Sequence, residues 1–110
     1  MPSPIFLGEF EQLVLIGILK LSDDCGVLAL KASLDAIAGR PVSRGALYRT
    51  LDRLADKGWI DWTIDDHVRP ERGGHPKRQL RVTKPGVAML KASRKTLLQL
   101  WRGVEKELGS

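Results

Sequence analysis

The 110-residue sequence has one cysteine, no long apolar run and none of the short motifs that mark common catalytic sites. Cys25 alone rules out an intramolecular disulfide framework. The longest apolar run, Leu13 to Leu19, is flanked by Glu11 and Lys20 and falls far short of the ~20 residues of a bilayer span. The opening Met1-Pro2-Ser3-Pro4 lacks the charged n-region and cleavage site of a signal peptide, so the expectation is a cytoplasmic protein. Cys25, His67, His75 and the Asp65-Asp66 pair do not stand at metal-ligand spacings such as C-x-x-C or H-E-x-x-H. G-x-S-x-G, the phosphate loop with its Gly-Lys-Ser/Thr and the dinucleotide glycine fingerprint are also missing. Together these absences exclude the common enzyme classes, and neither metal nor cofactor is expected.

What is present is a cationic surplus in one place. The chain is 43% hydrophobic, enough for one domain, and its 18 Lys and Arg against 13 Asp and Glu leave +5. From His67 to Lys84 there are six cations (Arg69, Arg72, Lys77, Arg78, Arg81, Lys84) and one anion, Glu71, while the rest of the chain balances at 12 of each sign. A surplus so confined is the footprint of a polyanion contact, although a solubilising basic loop has the same composition. The stretch "PERGGHPKRQLRVT", Pro70 to Thr83, reads as a linker, a phosphate-cradling loop or the tip of a hairpin.

The periodicities around it choose among the three. Residues Leu7 to Leu21 predict a first helix that is apolar around almost its whole circumference, with Leu13 among the positions available to a second subunit. Ser22-Asp23-Asp24 offers N-cap side chains to a second helix from about Gly26 to Ala38, with Leu30, Leu34 and Ile37 at helical spacing and Gly39 as its stop. After the turn Gly39-Arg40-Pro41-Val42, Ser43 caps a third helix that ends at Lys57-Gly58, which is helix-turn-helix spacing. In that helix Leu47, Leu51, Leu54 and Ala55 form the buried stripe. Ser43, Arg44, Tyr48 and Arg49 lie on its other side near the start, ahead of Asp52 and Asp56. Cations at the N-terminal end suit insertion into a groove; the alternative is an ordinary amphipathic helix with ion pairs such as Arg49 to Asp52.

From Trp59 to Asp65 the period becomes two, with Ile60, Trp62 and Ile64 on one face, and Leu80 and Val82 alternate the same way. The stretch is therefore a hairpin connection plus its second strand. Thr83-Lys84-Pro85-Gly86 then caps a last helix predicted to reach about Leu108. Val87, Leu90, Arg94, Leu97, Trp101, Val104 and Leu108 make a seam of three heptads on a helix on the order of 35 Å long. The expectation is a homodimer seam carrying Leu90, Leu97, Trp101, Val104 and Leu108; the alternative is a helix folded back on its own domain.

The fold class is thus mainly α with a two-stranded β-hairpin: a winged helix-turn-helix, residues 1–83, followed by a dimerisation helix, residues 84–110, with the first helix contributing. "LGEFEQLVLIGIL", "VSRGALYRTLDRLADKGWI" and "RGGHPKRQLRVTKPG" resemble the PadR family of bacterial transcriptional regulators, over about Leu7 to Gly86. The sequence departs from the family pattern in Gln79 and Leu80, where many members carry an aromatic pair, and in Cys25-Gly26-Val27, where they have a Tyr-containing motif. The resemblance implies the third helix in the DNA major groove, the wing on backbone or minor groove, and the first and last helices at the dimer interface. It matches the short-tailed members best. Most characterised members are repressors, and some are released by phenolic or hydrophobic compounds.

On that reading Arg44 reads base edges, Arg49 reads or clamps phosphate, and Tyr48 and Ser43 fix the register on phosphates. In the wing Arg72, Lys77 and Arg78 meet phosphates or the minor groove, and Gly73-Gly74 allow close backbone approach. His75 reads as a polar filler. Cys25 reads as a small half-buried residue or, with a lowered pKa, a redox sensor. Trp101 reads as an interface anchor or the wall of a ligand cleft. The partners expected are double-stranded DNA and a second copy. Two other readings are a protein-interaction module and a sequence-independent architectural binder.

Overall fold

The computed structural model describes residues 7–22, 25–39, 41–65 and 77–109. In chain order they form α1 (Glu9–Leu21), α2 (Val27–Ala38), α3 (Arg44–Asp56), β1 (Ile60–Asp65), β2 (Lys77–Val82), α4 (Lys84–Trp101) and a 3₁₀ turn (Glu105–Leu108). The apolar stripes of the first three helices converge on one centre, where Val14, Leu15, Ile18, Leu30, Leu34, Leu47, Leu51 and Leu54 are all buried. Ser43 caps α3, its Oγ accepting the Ala46 N–H at 3.2 Å, and Gly39 closes α2 in the left-handed region.

The strands pair antiparallel, Ile60 opposite Val82, Trp62 opposite Leu80 and Ile64 opposite Arg78. These three pairs share the face turned to the helices, because side chains alternate along a strand. Ile60 and Leu80 are buried there. The Leu80 N–H also donates to the Cys25 carbonyl at 2.9 Å, tying the hairpin to the chain just before α2. At the other end of the sheet the Thr83 hydroxyl donates to the Gly58 carbonyl (2.6 Å) and accepts the Gly86 N–H (3.2 Å), so one side chain joins the end of α3 to the start of α4. Gly86 sits so close to Trp59 that a Cβ would run into the Trp59 carbonyl.

Two expectations are corrected. The N-cap of α2 is Gly26, which has no side-chain oxygen to accept a first-turn N–H; Ser22 instead closes α1 at φ 55, its N–H donating to the Ile18 carbonyl. Asp23 and Asp24 lie outside the described residues. Ile37, at helical spacing with Leu30 and Leu34, does not share their burial and is 58% exposed. It stands at the far end of α2, where it lines an open groove of about 720 Å³ with Phe10, Leu13, Pro41 and Val42.

The second correction concerns α4, which stops at Trp101. Arg102 turns to extended backbone and Gly103 takes φ 88, so Val104 and Leu108 leave the helix. Eighteen residues span ~27 Å, and the seam is two heptads rather than three. Only glycine enters that left-handed conformation without penalty, which is why the break falls there. The first half of α4 belongs to the core: Met89 and Leu90 pack on it, and the buried Ser93 Oγ accepts the Leu7 N–H at 2.8 Å. The second half does not fold back, with Leu97 and Trp101 42% and 48% exposed.

Candidate nucleic-acid interface

The buried stripe of α3 dictates what its other side can do. With Leu47, Thr50, Leu51 and Leu54 facing the core, Arg44, Gly45, Tyr48, Arg49 and Asp52 face outward. Ser43 spends an oxygen lone pair on the cap, which leaves its hydroxyl proton available to an acceptor. Arg49 folds back along the helix, its Nη1 3.2 Å from where a Cβ of residue 45 would stand, so Gly45 leaves it room beside the helix N-terminus. The α3 N-terminus contributes partial positive charge to the same spot. Among the described residues Arg49 makes no ion pair with Asp52, so the structure does not show the ion-paired amphipathic helix.

The hairpin sorts its cations by face. On the outer face Arg81 donates twice to the Asp61 carboxylate, at 3.1 and 3.3 Å, across the strands. Its charge is therefore answered within the sheet. Arg78 points the other way, with its guanidinium carbon 4.5 Å from the centre of the Trp62 ring and 5.9 Å from that of Tyr48. Its Nη1 is buried without a hydrogen-bond partner. Lys77 opens β2 opposite Asp65, while Arg72, Gly73, Gly74 and His75 lie outside the described residues.

The structure thus brings Ser43, Arg44, Tyr48 and Arg49 together on one exposed surface and attaches the hairpin to it through Tyr48. Sequence reasoning missed the inward turn of Arg78, although its parity with Leu80 and Val82 signals it. It also missed that the segment from Lys84 to Val104, α4 and the turn after it, holds five cations (Lys84, Lys91, Arg94, Lys95, Arg102) and no acid. All five are exposed. The balance of charge over the rest of the chain conceals this second surplus.

The remaining candidates resolve by burial. Cys25 is fully buried rather than half-buried, and burial pushes its thiol up to about 11, the opposite of a reactive low-pKa cysteine. Among the described residues no group of three His, Cys, Asp or Glu could hold a metal ion. No helix among them is long and apolar enough to cross a membrane.

No family model and no curated protein sequence matches the chain. Solved structures do match it. A PadR-like transcription factor from Bacteroides fragilis superposes with a TM-score of 0.70 at 19% identity, over 88% of this chain and 87% of that one. A PadR family transcriptional regulator from Eggerthella lenta gives 0.67 at 27% identity, over 91% and 86%. RosR of H. salinarum gives 0.69 at 21% identity, over 88% and 79%.

Proposed function

The chain has the winged-helix fold of the PadR family, and from that premise we propose that it is a sequence-specific DNA-binding transcriptional regulator, a repressor that binds a palindromic operator as a homodimer. The observation that carries this reading is the joint surface of α3 and the hairpin: Ser43, Arg44, Tyr48 and Arg49 exposed together, with Tyr48 against a hairpin side chain. Arg44 and Arg49 offer planar donor forks to guanine edges or phosphates, and Ser43 and Tyr48 offer hydroxyls to phosphate oxygens. In this reading Arg72, Gly73, Gly74, Lys77 and Arg78 are the wing's contribution to DNA binding, the first three lying outside the described residues.

Residues 1–83 carry the DNA contacts in this proposal, and residues 84–110 with α1 carry dimerisation. Exposed apolar side chains on these two helices favour it: Ile16 and Leu19 on α1, then Leu97, Leu98, Leu100 and Trp101 on α4. Leu13, Leu90, Val104 and Leu108 complete the proposed interface. A small hydrophobic or phenolic effector belongs to the reading on family resemblance alone.

The test is binding to the DNA upstream of the protein's own gene, by fluorescence anisotropy, with random duplex as competitor. Four or five phosphate contacts per subunit give a log-log salt slope on the order of −7 to −9. A slope near zero removes DNA binding. Equal affinity for random duplex replaces the regulator with an architectural binder.

A further inference from the structure

Arg78 has chemistry that phosphate binding does not use. It belongs to the inner row of the hairpin, opposite Ile64 and beside Leu80, so its cation is carried toward the helices and away from solvent. A guanidinium in that position needs acceptors, and its Nη1 has neither solvent nor a hydrogen-bond partner. What faces it is aromatic: the Trp62 ring from the neighbouring strand at 4.5 Å and the Tyr48 ring from α3 at 5.9 Å. Both lie within the ~6 Å over which a ring quadrupole attracts a cation.

The location matters as much as the contact. At its base the hairpin is held to the core by Trp59, Ile60 and Leu80, all buried. Farther out Ile64 is half exposed, and Arg78, opposite it, reaches across to α3. The Arg78 stack therefore restrains the angle between the outer hairpin and the recognition helix. Tyr48 is the α3 side of that restraint and keeps part of its ring exposed on the proposed DNA surface.

We propose that Arg78 is a positioning residue: wedged between Trp62 and Tyr48, it sets the separation of recognition helix and wing, and acts on DNA through that geometry rather than by clamping a phosphate. The proposal rests on the DNA-binding reading above. A planar guanidinium can lie against two rings at once, whereas a lysine ammonium, a compact point charge, cannot replace it.

The test uses the full chain with Trp62→Leu, Trp62→Phe, Arg78→Lys and the double variant Trp62→Leu/Arg78→Lys. Trp62→Leu and Arg78→Lys each weaken specific binding about tenfold per half-site. Trp62→Phe, which keeps a ring face, retains most of the affinity. The double variant is no weaker than either single change, and the salt slope stays at its wild-type value. A phosphate contact behaves differently: Trp62→Leu binds like wild type, Arg78→Lys keeps its charge and affinity, and Arg78→Gln lowers the slope by ~0.9 per subunit. Either of the first two results overturns the proposal.

A readout without DNA separates this proposal from the function it serves. Tyr48 is the only tyrosine, so its ring protons are assignable at once by NMR. They shift in both Trp62→Leu and Arg78→Lys if the stack exists, and unchanged signals overturn it. Wild-type protein that fails to bind duplex in a salt-dependent way sinks the DNA reading and, with it, the positioning role on DNA, whatever the Tyr48 signals show.

Discussion

The Asp35 carboxylate accepts the Val42 N–H at 2.6 Å, joining the last turn of α2 to the segment that launches α3. Lys31 Nζ stands 2.7 Å from the other carboxylate oxygen. The turn of the helix-turn-helix is thus closed by one side chain, and the direction in which α3 leaves depends on it. Lys31 first, then the Val42 N–H, hold the carboxyl below its ordinary value of 3.8.

A carboxyl whose folded pKa is depressed stabilises the fold above its ordinary value and loses that contribution as pH falls through the lowered one. Asp35→Asn therefore melts below wild type at neutral pH, and the gap narrows on acidification below about pH 4. Thermal melts of both proteins across that range check it. Asp35→Ala removes the turn bond as well, and is expected to reduce DNA affinity more than Asp35→Asn does. A gap that stays constant into acid would show that charge plays no part in the turn.

Cys25 makes an opposite prediction about chemistry. With the thiol buried and pushed up to about 11, almost no thiolate exists at neutral pH. An aromatic disulfide reagent is expected to react with the folded protein only as fast as the protein opens, and with urea-unfolded protein at once. DNA binding is expected to survive mild peroxide. Rapid labelling of the native state would restore a redox role.

Gly86 and Thr83 bind the start of α4 to the hairpin. Gly86→Ala places a methyl against the Trp59 carbonyl and is expected to cost about 2–3 kcal/mol, the upper range for overpacking. Thr83→Ala removes the cap of α4 and the bond to Gly58, for about 1–2 kcal/mol. Urea denaturation measures both. The two residues are neighbours in one contact, so their effects are expected not to add.

The exposed end of α4 predicts an assembly state. Leu97→Glu puts a charge on the proposed seam and is expected to convert dimer to monomer in sedimentation, with the DNA salt slope roughly halved. Gly103→Ala addresses the break directly. An alanine at φ 88 costs about 1–2 kcal/mol, so the chain is expected to favour continuing the helix into Val104 and Leu108, raising helicity by circular dichroism. Unchanged helicity would mean that something other than glycine ends α4.

The elements were legible in the sequence wherever a local pattern forces them. The 3.6-residue spacing of Leu47, Leu51 and Leu54 and the alternation of Ile60, Trp62, Leu80 and Val82 each specify one element and one face. Ser43 and Thr83 mark helix starts because a short hydroxyl side chain satisfies a free N–H there. The exposed cluster of Ser43, Arg44, Tyr48 and Arg49 follows from the same helix arithmetic. Heptad spacing by itself overextends the seam of α4, since the spacing continues past Gly103 while the helical backbone does not.

By itself, then, the sequence determined the order of helices and strands, the sides they bury and the place of the cationic surplus, because these depend on neighbours a few residues away. Tertiary structure decided which cations remain available. Arg81 meets Asp61 across twenty residues, Arg78 reaches from β2 to the rings of Trp62 and Tyr48, and Asp35 closes the turn ahead of α3. A charge in the sequence is only a formal unit, and its availability to a partner depends on what the fold places within a few ångströms of it.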